Sequence, residues 1–136
     1  MGRGGSRISV HRSKASDYKA VAESFFNGAE VASAFGYWNA AAILQVHTAI
    51  ALADALTIKL GGVRCRGEDH YEVITLLNEF AIPDPKKKKA FDQLRDIINH
   101  KNWIAYSGQI FQRRYIDKLA KLLERFRAWA LAILEN

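Results

Sequence analysis

The stretch WNAAAILQVHTAIALADALTIKL, from Trp38 to Leu60, sets the architecture. It is apolar nearly all round and long enough to cross a bilayer. Yet it carries Gln45, His47, Asp54 and Lys59, and charges inside a membrane are expensive. Its many alanines suit close packing on several sides. The stretch therefore reads as the core helix of an all-α bundle. Gly61 and Gly62 close it, glycine being the residue that most easily takes the left-handed cap conformation.

On either side of it, apolar residues recur at three- and four-residue spacing and alternation of period two is missing. Five helices and no strand are expected. The first covers about Ser16 to Ala34, with Ser16 as its cap and Tyr18, Val21, Ala22, Phe25, Phe26 and Ala29 on its buried side. Gly36 supplies the turn into the core helix. A third helix, about His70 to Phe80, follows the loop GGVRCRGEDH, where Asp69 and Glu72 have capping-box spacing. The segment AIPDPKKKK holds both prolines. Asp84 as cap and Pro85 at the first helical position start a fourth helix, which AYSG ends. The fifth runs from about Phe111 to Leu134. One helical domain, residues 16–136, is thus expected behind a solvated basic arm, residues 1–15.

Composition narrows the classes further. The 136 residues make one domain by length, and 49% hydrophobic with 25% charged residues is an ordinary globular mixture. Lysine and arginine total 20 against 14 acids, a net charge of +6, which tilts the chain toward phosphates or acidic surfaces. The single cysteine, Cys65, excludes an intramolecular disulfide and a cysteine-based metal site, and points to a reducing cytoplasm. Gly2 and Ser6 match the loose myristoylation pattern, but the segment has no secretory apolar run and reads as the solvated arm. No zinc spacing, nucleophile elbow or dinucleotide fingerprint occurs. No metal, cofactor or membrane is expected.

The chemistry concentrates in FDQLRDIINHKNWIAYSG, Phe91 to Gly108. On a helix through Phe91, Arg95 falls on the shoulder of the apolar stripe, with Asn99 and Asn102 beside it. A polar group there is costly unless hydrogen-bonded. His100 lies about 140° from Arg95 on an ideal helix, so the two share no face. Arg95 paired with a carboxylate such as Asp92 or Asp96, and His100 at a helix end, is one reading. The other makes them two parts of a site, assembled by a bend near Asn99 or from two copies of the chain.

The string LRDIINH resembles the motif of the HEPN family: an arginine, often followed by Asn, Asp or His, with a histidine four to six intervening residues later. Arg95, Asp96 and His100 occupy those three places. NAAAILQVHTAIALADAL resembles the family's second helix and GEDHYEVITLL its third-helix entry, so the likeness covers Tyr18 to Leu134. It implies an up-and-down four-helix core that forms homodimers. In many members the arginine–histidine pairs of two protomers line a cleft that cleaves RNA without metal. Under that resemblance His100 is the acid–base group, Arg95 stabilises the phosphate, and Asp96 or Asn99 positions. Such an enzyme is often the toxin of a toxin–antitoxin pair, with an antitoxin or nucleotidyltransferase as partner. Several toxins carry a tyrosine two residues after the histidine. Here that place is Asn102, and the nearest tyrosine is Tyr106. Other members are non-catalytic modules that bind a nucleotide or a partner protein.

The remaining candidates are basic. Lys86 to Lys89, of which Lys86 and Lys87 are the proposed RNA contacts, open the fourth helix, where positive charge opposes the helix dipole. Arg114, Lys118, Lys121 and Arg125 recur at four-three-four spacing, opposite Ile116, Leu119, Leu123, Phe126 and Ala130. Both groups read as solvated faces, or as phosphate contacts if the chain binds RNA. His47 and Asp54 share a helix face and read as buried polar residues, or as a pocket lining if the fourth helix crosses them. Arg64 and Arg66, in the glycine-bounded loop, read as surface, or as a phosphate contact without any known phosphate-loop spacing. Trp38, Trp103 and Trp129 read as packing residues of the bundle or of a dimer face, with base stacking as the alternative for Trp103.

Overall fold

The computed structural model describes residues 7–66 and 70–136. A strand β1 (Arg7–Ser9) and a 3-10 turn (Arg12–Lys14) lead into α1 (Ala15–Ala34) and α2 (Trp38–Gly61). Then follow β2 (Val63–Cys65), α3 (Tyr71–Phe80), α4 (Lys87–Asn99), α5 (Lys101–Tyr106) and α6 (Arg113–Leu134). The architecture is an all-α helical bundle.

Every other helix packs on α2, and α1 lies along it most extensively. Ala41, Ala42, Ala49, Ala53 and Ala55 are fully buried on it, since small side chains let neighbouring helices approach. Val46, Leu52, Leu56 and Ile58 fill the interior, each large side chain contributing about 1.5–3 kcal/mol on burial. The helix is long and apolar enough to cross a membrane, but 78% of its apolar window lies inside the bundle. Its charged end has a structural use. Lys59 Nζ donates to the backbone oxygens of Ile133, Leu134 and Asn136 at 2.9, 3.0 and 3.0 Å, placing a cation on the negative end of the α6 dipole.

Gly62 caps α2 in the left-handed conformation, with φ 67°. At Gly61 the requirement is space: a Cβ there would lie 2.5 Å from the Phe80 ring, a clash that would push α3 away from the core.

Several expectations are corrected. A small antiparallel sheet exists: Arg7, Ile8 and Ser9 pair with Cys65, Arg64 and Val63. Strands of three residues are too short to show alternation, and the partners lie far apart in sequence. Residues 7–15, read as part of the arm, are therefore built into the fold, and Arg7 forms an ion pair with Glu79 of α3. Ser16 is inside α1, where its hydroxyl donates to Ser13 O at 3.2 Å instead of capping. Val21 faces solvent because α2 covers the alanine side of α1. Asp84 does receive the Lys86 N–H at 2.6 Å, but regular helix begins at Lys87, two residues beyond Pro85. The expected fourth helix is broken into α4 and α5 at His100. The Gly2–Ser6 pattern and the Asp69 cap lie outside the described residues.

Candidate functional site

On α4, Phe91, Leu94, Ile97 and Ile98 are buried, which leaves Asp92, Arg95, Asp96 and Asn99 on the outer side. Arg95 Nη1 donates to Asp92 Oδ1 at 3.4 Å, and the other Asp92 oxygen is 3.7 Å from Lys88 Nζ. Exposed pairs of this kind contribute about 0–1 kcal/mol, so they leave the guanidinium available. Arg95 borders a groove of about 500 Å3 between α3 and α4, lined also by Ile74, Asn78, Lys87 and Phe91. Asn99 Oδ1 accepts from the Tyr71 hydroxyl at 2.5 Å, which ties α4 to α3.

His100 faces elsewhere. Asn99, His100 and Asn102 are poor helix formers, and the helix ends among them. The His100 N–H donates to Ile97 O at 3.1 Å, and Ile104 N–H to His100 O at 2.9 Å, so the chain tightens before α5 begins. The break turns the imidazole toward α6, with Nδ1 2.5 Å from Tyr115 Oη and the two rings 5.3 Å apart, edge to face. Tyr115 stacks on Phe111 at 4.4 Å, and the Trp103 ring meets Phe111 and Tyr115 at 5.1 and 5.6 Å.

Burial lowers the His100 pKa below its ordinary 6.5, with nearby Asp96 opposing and Lys118 reinforcing the shift. The imidazole is therefore neutral at neutral pH. Burial pushes the Tyr115 phenol up to about 12, so it keeps its proton. With its proton on Nδ1, His100 donates to the phenol oxygen and holds a free lone pair on Nε2. In the other tautomer the phenol donates and Nε2–H becomes a donor. Either way the ring is held in place and one nitrogen is left to work.

Arg95 and His100 are not joined within one chain. Arg95 opens on the α3–α4 groove with Asp92, whereas His100 turns to Tyr115 on α6. Asp96 is exposed and acts on His100 through its charge.

The basic candidates divide between faces. Lys87 Nζ sits 5.7 Å above the Phe91 ring, at the α3–α4 groove. Lys86 shares a second groove, of about 430 Å3 between α4 and α6, with Lys89 and Arg125. Arg114, Lys118, Lys121 and Arg125 are all exposed along α6, opposite the buried Ile116, Leu119, Leu123, Phe126 and Ala130.

His47 and Asp54, expected to be buried, are half-buried and have different neighbours. His47 lies edge-on against Phe25 of α1, while the charge acting on Asp54 is that of Arg64 on β2. Arg64 Nη1 donates to Cys65 O at 2.9 Å. Trp129 is a core residue whose Nε1–H donates to Asp84 at 3.2 Å, and Trp38 packs at the core's margin. Trp103, by contrast, keeps 46% of its surface exposed. Among the described residues no group of three or more His, Cys, Asp and Glu side chains is placed to hold a metal.

Tyr115 is the residue that sequence reasoning missed. It is half-buried beside the apolar stripe of α6, and nothing local links it to a histidine on another helix. An aromatic bordering a stripe at a helix start is the one signal available. Compared with protein-family models, curated proteins and solved structures, the chain matches none.

Proposed function

We propose that this chain is a metal-independent endoribonuclease, working as a homodimer in the cytoplasm in the manner of a toxin. The observation that carries the reading is the His100–Tyr115 contact: a neutral imidazole, oriented by a phenol, at a helix break beside the cation Lys118. Histidine in that state accepts a proton near neutral pH. Nε2 takes the proton of an RNA 2′-hydroxyl, and the 2′-oxygen attacks the adjacent phosphorus. The P–O5′ bond breaks, the 5′-oxygen leaves with a proton returned by an imidazolium, and a cyclic phosphate remains. Charge on the phosphorane calls for a fixed cationic fork, the role of an arginine. Because Arg95 of the same chain faces the other groove, Arg95 of the partner subunit would supply it.

The test is RNA cleavage in EDTA by the wild type beside Arg95→Ala and His100→Ala. Cyclic-phosphate ends are expected from the wild type, with loss of cleavage in both variants, each still folded. Equal cleavage by all three, or none by the wild type, refutes the assignment.

A second reading rests on the groove itself. Lys87, Lys88 and Arg95 gather at its border beside the Phe91 ring, an arrangement suited to an anionic nucleotide with a stacked base. In that case the chain is a binding module, and ATP titrated onto it binds more weakly to Arg95→Ala but equally to His100→Ala.

A further inference from the structure

Trp103 lies on α5, one helical turn before Tyr106, and both rings are exposed, Tyr106 by 79%. Trp103 and His100 contact the same Tyr115 ring, at 5.6 and 5.3 Å. The loop that follows carries Ile110, also exposed, and is tied to the first turn of α2. There Asn39 Nδ2 donates to Gln109 O at 2.8 Å, and its Oδ1 accepts the Phe111 N–H at 2.9 Å. On the α1–α2 turn at that end, Phe35 and Tyr37 stack on each other with their rings 6.0 Å apart. One end of the bundle thus presents aromatic faces.

The surrounding charge says what fits them. From His100 to Lys118 the chain carries Lys101, Arg113, Arg114 and Lys118 against one acid, Asp117, while the exposed Asp96 of α4 adds its negative charge at His100. None of these cations is held in an ion pair among the described residues. Exposed aromatics interleaved with free cations suit a strand whose bases are unpaired: the bases stack on the rings and the phosphates meet the cations.

We infer that Trp103 is the base-stacking platform of a single-stranded RNA subsite, placing the stacked nucleotide's phosphate beside His100. The inference rests on the ribonuclease reading and names its substrate as unpaired RNA. A duplex cannot offer a free base face to Trp103. Tyr106, Arg113 and Arg114 continue the path away from the histidine.

The test uses the full chain carrying His100→Ala, so that the probe survives, and an unstructured oligouridylate read by anisotropy and tryptophan emission. Single-stranded RNA should bind and quench the emission. Trp103→Ala should weaken binding by about tenfold with its helical circular dichroism intact, and Trp103→Phe should restore most of it. The same strand annealed to oligoadenylate should bind more weakly. Unchanged affinity in Trp103→Ala, or equal affinity for the duplex, overturns the proposal. So does a Trp103→Ala chain that changes its sedimentation but not its RNA affinity, which would give this face to a second copy. The two readings fail separately. Trp103-dependent binding without wild-type cleavage keeps the platform and removes the enzyme. Wild-type cleavage with KM unchanged by Trp103→Ala keeps the enzyme and removes the platform.

Discussion

Tyr115 Oη and His100 Nδ1 stand 2.5 Å apart, joining the first turn of α6 to the break between α4 and α5. Tyr115→Phe removes this hydroxyl and keeps the stack on Phe111. A single hydrogen bond contributes about 1 kcal/mol, so urea denaturation should show a loss of that order. If the chain cleaves RNA as proposed, cleavage should suffer more in kcat than in KM, since the phenol would act only by orienting the imidazole. The pH–rate profile offers a further check. His100 stays unprotonated below its ordinary 6.5, so the acidic limb should fall off below that value. A variant with wild-type kcat and stability would remove Tyr115 from the site.

The α6 stripe and the lysine run make separable predictions. If Arg114, Lys118, Lys121 and Arg125 bind phosphates, changing them to Gln should lower the slope of log affinity against log salt. On a single strand the decrease should be about 0.7 for each phosphate left without its cation. Lys86→Gln and Lys87→Gln test the lysine run separately, since those side chains open on the α4–α6 and α3–α4 grooves. Anisotropy titrations at several salt concentrations measure this directly. A slope that does not change for the stripe leaves it as the solvated side of an amphipathic helix.

Asp54 should make the fold less stable at neutral pH. Burial raises its carboxyl to about 6, against the pull of Arg64. Between the ordinary carboxylate pKa and that value the folded chain binds more protons than the unfolded one, so stability falls as pH rises through the window. Asp54→Asn should therefore be more stable than the wild type near pH 8, by at most about 3 kcal/mol. Near pH 4 the difference should be small. His47 and His100, both lowered by burial, act in the opposite direction. The unfolded chain binds their protons first, so their contribution rises with pH up to about the ordinary histidine value. Thermal melts of the two chains across pH isolate the aspartate, and parallel curves would contradict its assigned burial.

The bundle was written in the chain itself. A long alanine-rich helix with a few polar residues calls for packing on several sides, and 78% of the apolar window of α2 is buried. The stripes of α4 and α6 lie where their spacing places them, because helical periodicity is local and dictates which side meets the core. Glycine turns at Gly36 and Gly62 were legible for the same reason. What the sequence could not contain is direction across elements. The strand pair of Arg7–Ser9 with Val63–Cys65, the lysine that caps α6 from α2, and the tyrosine that meets His100 all join residues far apart in the chain. That the helix breaks at His100, and that its ring turns away from Arg95, emerged only from tertiary packing. That direction depends on the aromatic neighbours α6 brings against it, and no spacing within one helix encodes them.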